Sequence, residues 1–164
     1  VFASSDLSGA NLSGAEMTGA NLSNTNLSRA NLNGAELIAV NLERADASRA
    51  DFTGADISSS NLRNGQFGRS SFRNADLDRS RLTGGQFGRA DFTGASLDRT
   101  DIRGTDLSTA RGLRASQVEE ACGDATTRLP AGLEVKTCSS HSYRFRFVRP
   151  APPTPPVPPI PPRR

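Results

Sequence analysis

Every fifth residue from Phe2 to Leu107 is large and apolar, with Ala47 as the one exception. The set runs Phe2, Leu7, Leu12, Met17, Leu22 and Leu27 and continues to Ile102 and Leu107. Two residues before most of these stands a small residue, such as Ala10, Ala15, Ala20 or Thr25, with Asn or Asp often between the two. A period of five suits neither ordinary element. On an α-helix each fifth residue is rotated by about 140° from the last, which smears the apolar set around the cylinder. On a straight strand an odd spacing sends successive apolar residues to opposite faces. A chain that turns a corner after every short extended segment keeps them all inside. The small and the large residue, two apart, then share the interior, and the residues between and after them face out.

The corner positions support this. The second residue after each large one is Gly at 9, 14, 19, 34, 54, 84, 94 and 104 and Asn at 24, 64 and 74, the residues that accept positive φ at the third position of a type II turn. Several repeats carry Arg there instead, and for those a different corner geometry is expected. The number of sides per coil is legible too. "NGQFGR" at 64–69 returns as "GGQFGR" at 84–89, and "LDRS" at 77–80 returns as "LDRT" at 97–100. Both offsets are twenty residues, so four five-residue sides close one coil. About five coils spaced by the strand-pairing distance give a rod of roughly 26 Å.

These repeats, of the form Ala-(Asp/Asn)-Leu-x-x over about residues 2–110, resemble the pentapeptide-repeat family of bacterial type. The resemblance implies an all-β fold, a right-handed quadrilateral β-helix. The expected organisation is a β-helix over 1–110, a C-terminal cap over 111–140, and a basic, aromatic segment with a polyproline tail over 141–164. Residues 1–110 carry thirteen acids against eleven arginines, whereas 111–164 carry nine basic against four acidic residues. The overall charge of +3 therefore hides a basic tail on a nearly neutral rod.

Reading the chain modulo twenty yields two surface ladders. Arg29, Arg49, Arg69 and Arg89 stack on one edge, and Glu16, Glu36, Asp56 and Asp76 stack on what is expected to be the opposite face. Asp78 and Asp98 extend the acidic side, partly offset by Arg79 and Arg99. Leu12, Leu32, Phe52, Phe72 and Phe92 form an interior column that becomes aromatic towards the C-terminal end. The arginine ladder matches evenly spaced phosphates or carboxylates, or is simply a solvated edge. Some pentapeptide-repeat proteins imitate a DNA duplex and bind type II topoisomerases such as DNA gyrase. Those rods are strongly acidic, while here the signs are mixed and no loop interrupts the repeats.

Nothing in the repeats supplies acid–base or nucleophilic catalysis. The single His141 lies beyond them, and the carboxylates sit on flat faces. "CSSH" at 138–141 with Cys122 offers at most three metal ligands. We therefore expect no enzyme, no cofactor and no metal. The expected role is a scaffold or interaction module for a protein partner, with topoisomerase binding and anion or envelope-polymer binding as alternatives. Direct nucleic-acid binding and a membrane span are not expected.

Past Leu107 the pattern fails. Ser116 and Glu119 have capping-box spacing, so a short helix is expected from Ala115 or Ser116 to Ala121 or Cys122, ended by Gly123. Leu113, Val118, Cys122, Leu129 and Leu133 can lie over the last coil as a lid. Cys122 and Cys138 either form a disulfide that staples this lid or remain two thiols. The former reading tilts the localisation towards a periplasmic or secreted setting. "YRFRFVRP" alternates like an edge strand, and the Pro-Pro-X tail reads as disordered polyproline II. The chain starts in mid-repeat at Val1–Phe2, which points to a processed or truncated start or to end-to-end self-association.

Overall fold

A computed structural model describes residues 2–138. The strand-like segment, His141 and the proline-rich tail lie outside the described residues. The chain winds as a solenoid in which each five-residue side contributes one paired residue, bridged in parallel to the residue twenty further on. The pairs run Asp6↔Asn26, Asn11↔Asn31, Glu16↔Glu36 and Asn21↔Asn41, and so forth to Asp91↔Arg111. Each side is held from both neighbouring coils. Leu27 N–H donates to the Asp46 carbonyl at 2.6 Å, and Asn26 N–H to the Ser5 carbonyl at 2.9 Å.

Corners are made by one repeated turn. Ala10 N–H donates to the Leu7 carbonyl at 3.0 Å, and Ala30 N–H to the Leu27 carbonyl at 2.9 Å. Every fifth residue from Ser4 to Gly104 has positive φ. The expected difference between Arg and Gly corners is therefore absent. Arg29, Arg49, Arg69 and Arg89 all sit at φ 61°, beside Gly14 at 65° and Gly54 at 66°. The stack imposes this geometry: the corner amide must reach the coil beyond it, as Arg29 N–H reaches the Ser48 carbonyl at 3.0 Å. The left-handed conformation costs a residue with a Cβ about 1–2 kcal/mol, which these inter-coil contacts outweigh. Replacing Arg29 by Gly relieves that strain but frees the unfolded chain. The expected outcome is a neutral to about 1 kcal/mol stabilising change in urea denaturation, whereas Arg29→Val, β-branched at positive φ, destabilises.

Interior columns fill as the spacing demands. From Leu22 to Leu107 every large repeat residue is at most 3 % exposed, and Ala47 is fully buried with them. Two aromatic stacks exist where one was expected. Phe52, Phe72 and Phe92 stack at 5.0 and 5.1 Å between ring centroids, and Phe67 and Phe87 stack at 4.9 Å. The two stacks meet at tilted contacts of 5.7–6.3 Å. Gly65 and Gly85 hold the small slot before Phe67 and Phe87 because a Cβ there would fall on the ring itself.

Where the small slot carries a hydroxyl, that hydroxyl is buried but bonded. Ser60, Ser80 and Thr100, stacked at twenty-residue intervals, donate to the carbonyls of Leu37, Ile57 and Leu77 at 2.7 Å each. Among the described residues no buried side-chain polar atom lacks a partner, as a stable interior requires.

The twenty-residue register breaks after Arg111. A single helix, α1 (Ala115–Glu120), replaces one side of the sixth coil. The following pairs are Asp101↔Cys122 and Asp106↔Arg128, displaced by one and then two residues. Ser116 and Glu119 do not cap this helix; they lie inside it. Gln117 does the capping by accepting Arg114 N–H at 2.8 Å, while its amide donates to the carbonyls of Phe92 at 3.0 Å and Ala95 at 2.7 Å. Docking on the fifth coil, rather than a local Ser–Glu pair, thus sets the helix start. Nor does Gly123 end it, since the chain leaves extended at Ala121 with φ −83°. Gly123 instead pairs with Thr137 at a point where a Cβ would strike Val135 and Thr127. Val118 and Ala121 are buried over the last coil, with Leu113, Leu129 and Leu133 packed partly against it. Cys122 and Cys138 are disulfide-bonded, with their Cα atoms 4.9 Å apart.

Candidate interaction surfaces

The outward residue of each side is mostly Asn or Asp for a reason internal to the fold. Its side-chain oxygen accepts the backbone N–H two residues on, as in Asn26 to Ser28 at 3.0 Å, Asp51 to Thr53 at 2.9 Å and Asp76 to Asp78 at 2.8 Å. Each is an Asx turn that fixes the next corner. Asn21, Asn41 and Asn61 also link along the rod through their amides, at 3.5 and 3.1 Å.

This alters the meaning of the acidic ladder. Glu16, Glu36, Asp56 and Asp76 do stack, through consecutive parallel bridges. Asp56 and Asp76, however, are turn acceptors, bonded to Ser58 N–H at 3.0 Å and Asp78 N–H at 2.8 Å. Only the glutamates are free of that duty, and Glu36 receives Thr18 Oγ1 at 3.1 Å. Seven residues of a twenty-residue coil separate Arg29 from Glu36, so the acidic ladder lies on the second side round from the arginine edge. The diagonally opposite corner carries Arg79 and Arg99. The arginine ladder of Arg29, Arg49, Arg69 and Arg89 is exposed throughout. Its last two rungs line a shallow depression together with Arg111.

Several turn carboxylates titrate below the usual range. The Thr93 hydroxyl holds the Asp91 carboxyl down, helped by Arg73 and Arg111, and Ser108 does the same for Asp106. Burial pushes Asp101 up, but its ion pair with Arg103, at 2.6 Å, brings it below the ordinary value. A carboxyl depressed in the folded state stabilises fully above its unfolded pKa, near 3.9, and loses that contribution as pH falls through the folded value. Urea midpoints should therefore drop as pH falls below about 4. In Asp91→Asn/Asp106→Asn the turn acceptors remain and those two positions no longer titrate. That variant should show a flatter profile that meets the parent at low pH, and identical slopes would refute this account.

A second surface escapes the column-by-column reading. Arg63, Arg79, Arg81, Arg99 and Arg103 line one groove of about 710 Å³, with Asp101 as its single carboxylate and Cys122–Cys138 as one wall. These arginines occupy neighbouring columns on either side of a corner, so no single column reveals them. The Asp101 carboxylate and both cysteine sulfurs lie within 4.8 Å of one another, but sulfurs bonded to each other offer no thiolate to a metal. No helix among the described residues is long and apolar enough to cross a membrane.

With this solenoid of five-residue sides in place, the chain matches the pentapeptide repeats family in eight copies over residues 1–34, 25–64, 35–74 and 70–108. The chain belongs to that family. Solved structures similar to it include a pentapeptide repeat protein from the Arabidopsis thaliana thylakoid lumen. That match has 24 % identity over 80 % of this chain and 83 % of that one, with a TM-score of 0.47. HetL, involved in heterocyst differentiation regulation in the cyanobacterium Nostoc sp. strain PCC 7120, matches at 22 % identity over 66 % of each chain, TM-score 0.32. QnrB1, a plasmid-mediated fluoroquinolone resistance protein, matches at 19 % identity over 74 % and 79 %, TM-score 0.39. No curated protein sequence matches the chain significantly.

Proposed function

We propose that this protein is a non-enzymatic interaction scaffold, a right-handed rod whose straight charged edges dock a protein partner. One observation carries the reading: the twenty-residue bridge register from Asp6 to Arg111 places like charges in unbroken lines at the strand-pairing spacing. Fixed, regularly spaced charges on a rigid support give orientation and encounter rate more than raw affinity. The arginine ladder is the preferred edge, because its side chains make no turn bonds and remain free for an acidic partner. A DNA-mimic reading directed at DNA gyrase would use the acidic ladder, of which two rungs already serve the corners.

The test is cross-linked affinity capture from the source cells with the full chain and two variants, Arg49→Gln/Arg69→Gln and Glu16→Gln/Glu36→Gln. A partner recovered with the parent and the glutamate variant but lost with the arginine variant supports the reading. Equal recovery with all three removes it. Loss with the glutamate variant alone, together with inhibition of gyrase supercoiling at micromolar protein, transfers the function to the acidic side. Salt-dependent binding to polyanions that disappears in the arginine variant would favour an anion or envelope polymer as the ligand of the same edge.

A further inference from the structure

The groove beside the disulfide carries a charge that the fold itself does not require. Arg81 stands in the column of Asn21, Asn41 and Asn61, where Asn would extend the amide ladder and accept the next turn N–H. Arg63 and Arg103 occupy the first turn position that Ser23, Glu43 and Thr83 fill elsewhere in the same column. Arg79 and Arg99 take the positive-φ corner at 60° and 55°, where Gly serves at lower strain. Arg79, Arg81 and Arg99 give up something the repeat prefers, and all five place a guanidinium in the same groove.

Little carboxylate charge answers them. Arg103 is paired with Asp101, through Nη2 at 2.6 Å and Nε at 2.9 Å. Arg99 has only Asp98, at 3.8 Å between exposed groups. Among the described residues no carboxylate lies within ion-pair distance of Arg63, Arg79 or Arg81. Like charges grouped along one exposed groove repel, a modest cost that a bound anion would relieve.

We propose that this groove binds a multivalent phosphate-type oxyanion, a chain of two or three linked phosphates held by forked guanidinium contacts. Arginine suits this task because its planar fork pairs with two oxygens at once and does not lose its proton. The groove spans three successive coils, through Arg63, Arg81 and Arg103, so neighbouring phosphates can be met by arginines from different coils. The site lies away from the Arg29–Arg89 edge and does not depend on the scaffold reading.

Isothermal titration of the full oxidised chain with sodium triphosphate, and in parallel with adenosine triphosphate, tests the assignment. Saturable one-to-one binding that weakens with added salt is expected. Arg63→Gln/Arg79→Gln/Arg81→Gln should weaken it by at least about tenfold. Arg29→Gln/Arg49→Gln/Arg69→Gln, which removes the same charge elsewhere, should change it by less than about twofold. Circular dichroism confirms that both variants remain folded. Similar affinity for the two probes assigns recognition to the phosphate chain alone, and tighter adenosine triphosphate binding assigns it to a nucleotide. Equal losses in the two triple variants, or no saturation with either probe, overturn the proposal.

Discussion

Replacing Phe72 by Ala lowers the unfolding free energy by about 3–5 kcal/mol. Phe72 is the hub of the aromatic interior. It stacks on Phe52 at 5.0 Å and on Phe92 at 5.1 Å, and meets Phe67 and Phe87 at tilts of 59° and 53° with centroids 5.9 and 5.8 Å away. Truncation removes the buried ring and leaves a cavity that neighbours on a rigid backbone cannot close. The stacked and tilted pairs add about 0.5–1.5 kcal/mol each beyond burial. Stability in a solenoid is close to a sum of coil and neighbour terms, so damage in a middle coil weakens the coils on both sides. Phe72→Leu should recover more than half of the loss. A urea-denaturation loss below about 1 kcal/mol for Phe72→Ala would mean that the interior relaxes far more than close packing allows.

Cys122→Ser costs about 3 kcal/mol under oxidising conditions and nothing once dithiothreitol is present in both samples. The bridge closes a loop of sixteen residues in sequence separation, a length for which chain entropy gives about that figure. The native contacts it supports are few. Gly123 N–H donates to the Lys136 carbonyl at 2.8 Å, and Cys138 N–H donates to the Gly123 carbonyl at 3.0 Å. The cap is therefore a low-stability unit on a stiffer rod, and its opening should precede global unfolding. Hydrogen exchange at the Val118, Cys122 and Arg128 amides reports that opening, and those amides should exchange faster in the variant. Coincident oxidised-state stabilities and exchange rates would show that the lid holds without its staple.

The interior was legible because burial leaves one solution for a five-residue period. Leu22, Leu62 and Leu82 had to face inward, and the offset of twenty between the two "QFGR" segments set the coil. The corners were only half legible. Arg at a positive-φ slot contradicts local preference, and what overrides it is a hydrogen bond to a residue nineteen positions away, which no local rule contains. Phe67 and Phe87 recur at the twenty-residue offset, but the close approach of Gly65 and Gly85 to their rings is a packing contact that the period does not state. The Asx turns explain why positions 56 and 76 carry a short side-chain oxygen acceptor, and a ladder read as charge proves half structural. The arginine groove stayed hidden because Arg63, Arg79 and Arg81 belong to different columns brought together only across a corner. The helix start at Ala115 was legible but its cap was not, because Gln117 rather than Ser116 and Glu119 makes it, answering to the carbonyls of Phe92 and Ala95 across the rod.

The slip of register beyond Arg111 also governs how such rods meet one another. A coil built strictly on twenty would offer a further chain a full square of open donors and acceptors, the kind of edge that templates fibre growth. Here one side of that square is a helix whose amides bond inward, and another is already occupied by Thr137. An incoming coil would find three sides out of step by zero, one and two residues and the fourth a helix, and could pair with only a fraction of them. The irregular sixth coil is therefore a poor template for a further coil at its own end of the rod, by geometry rather than by charge.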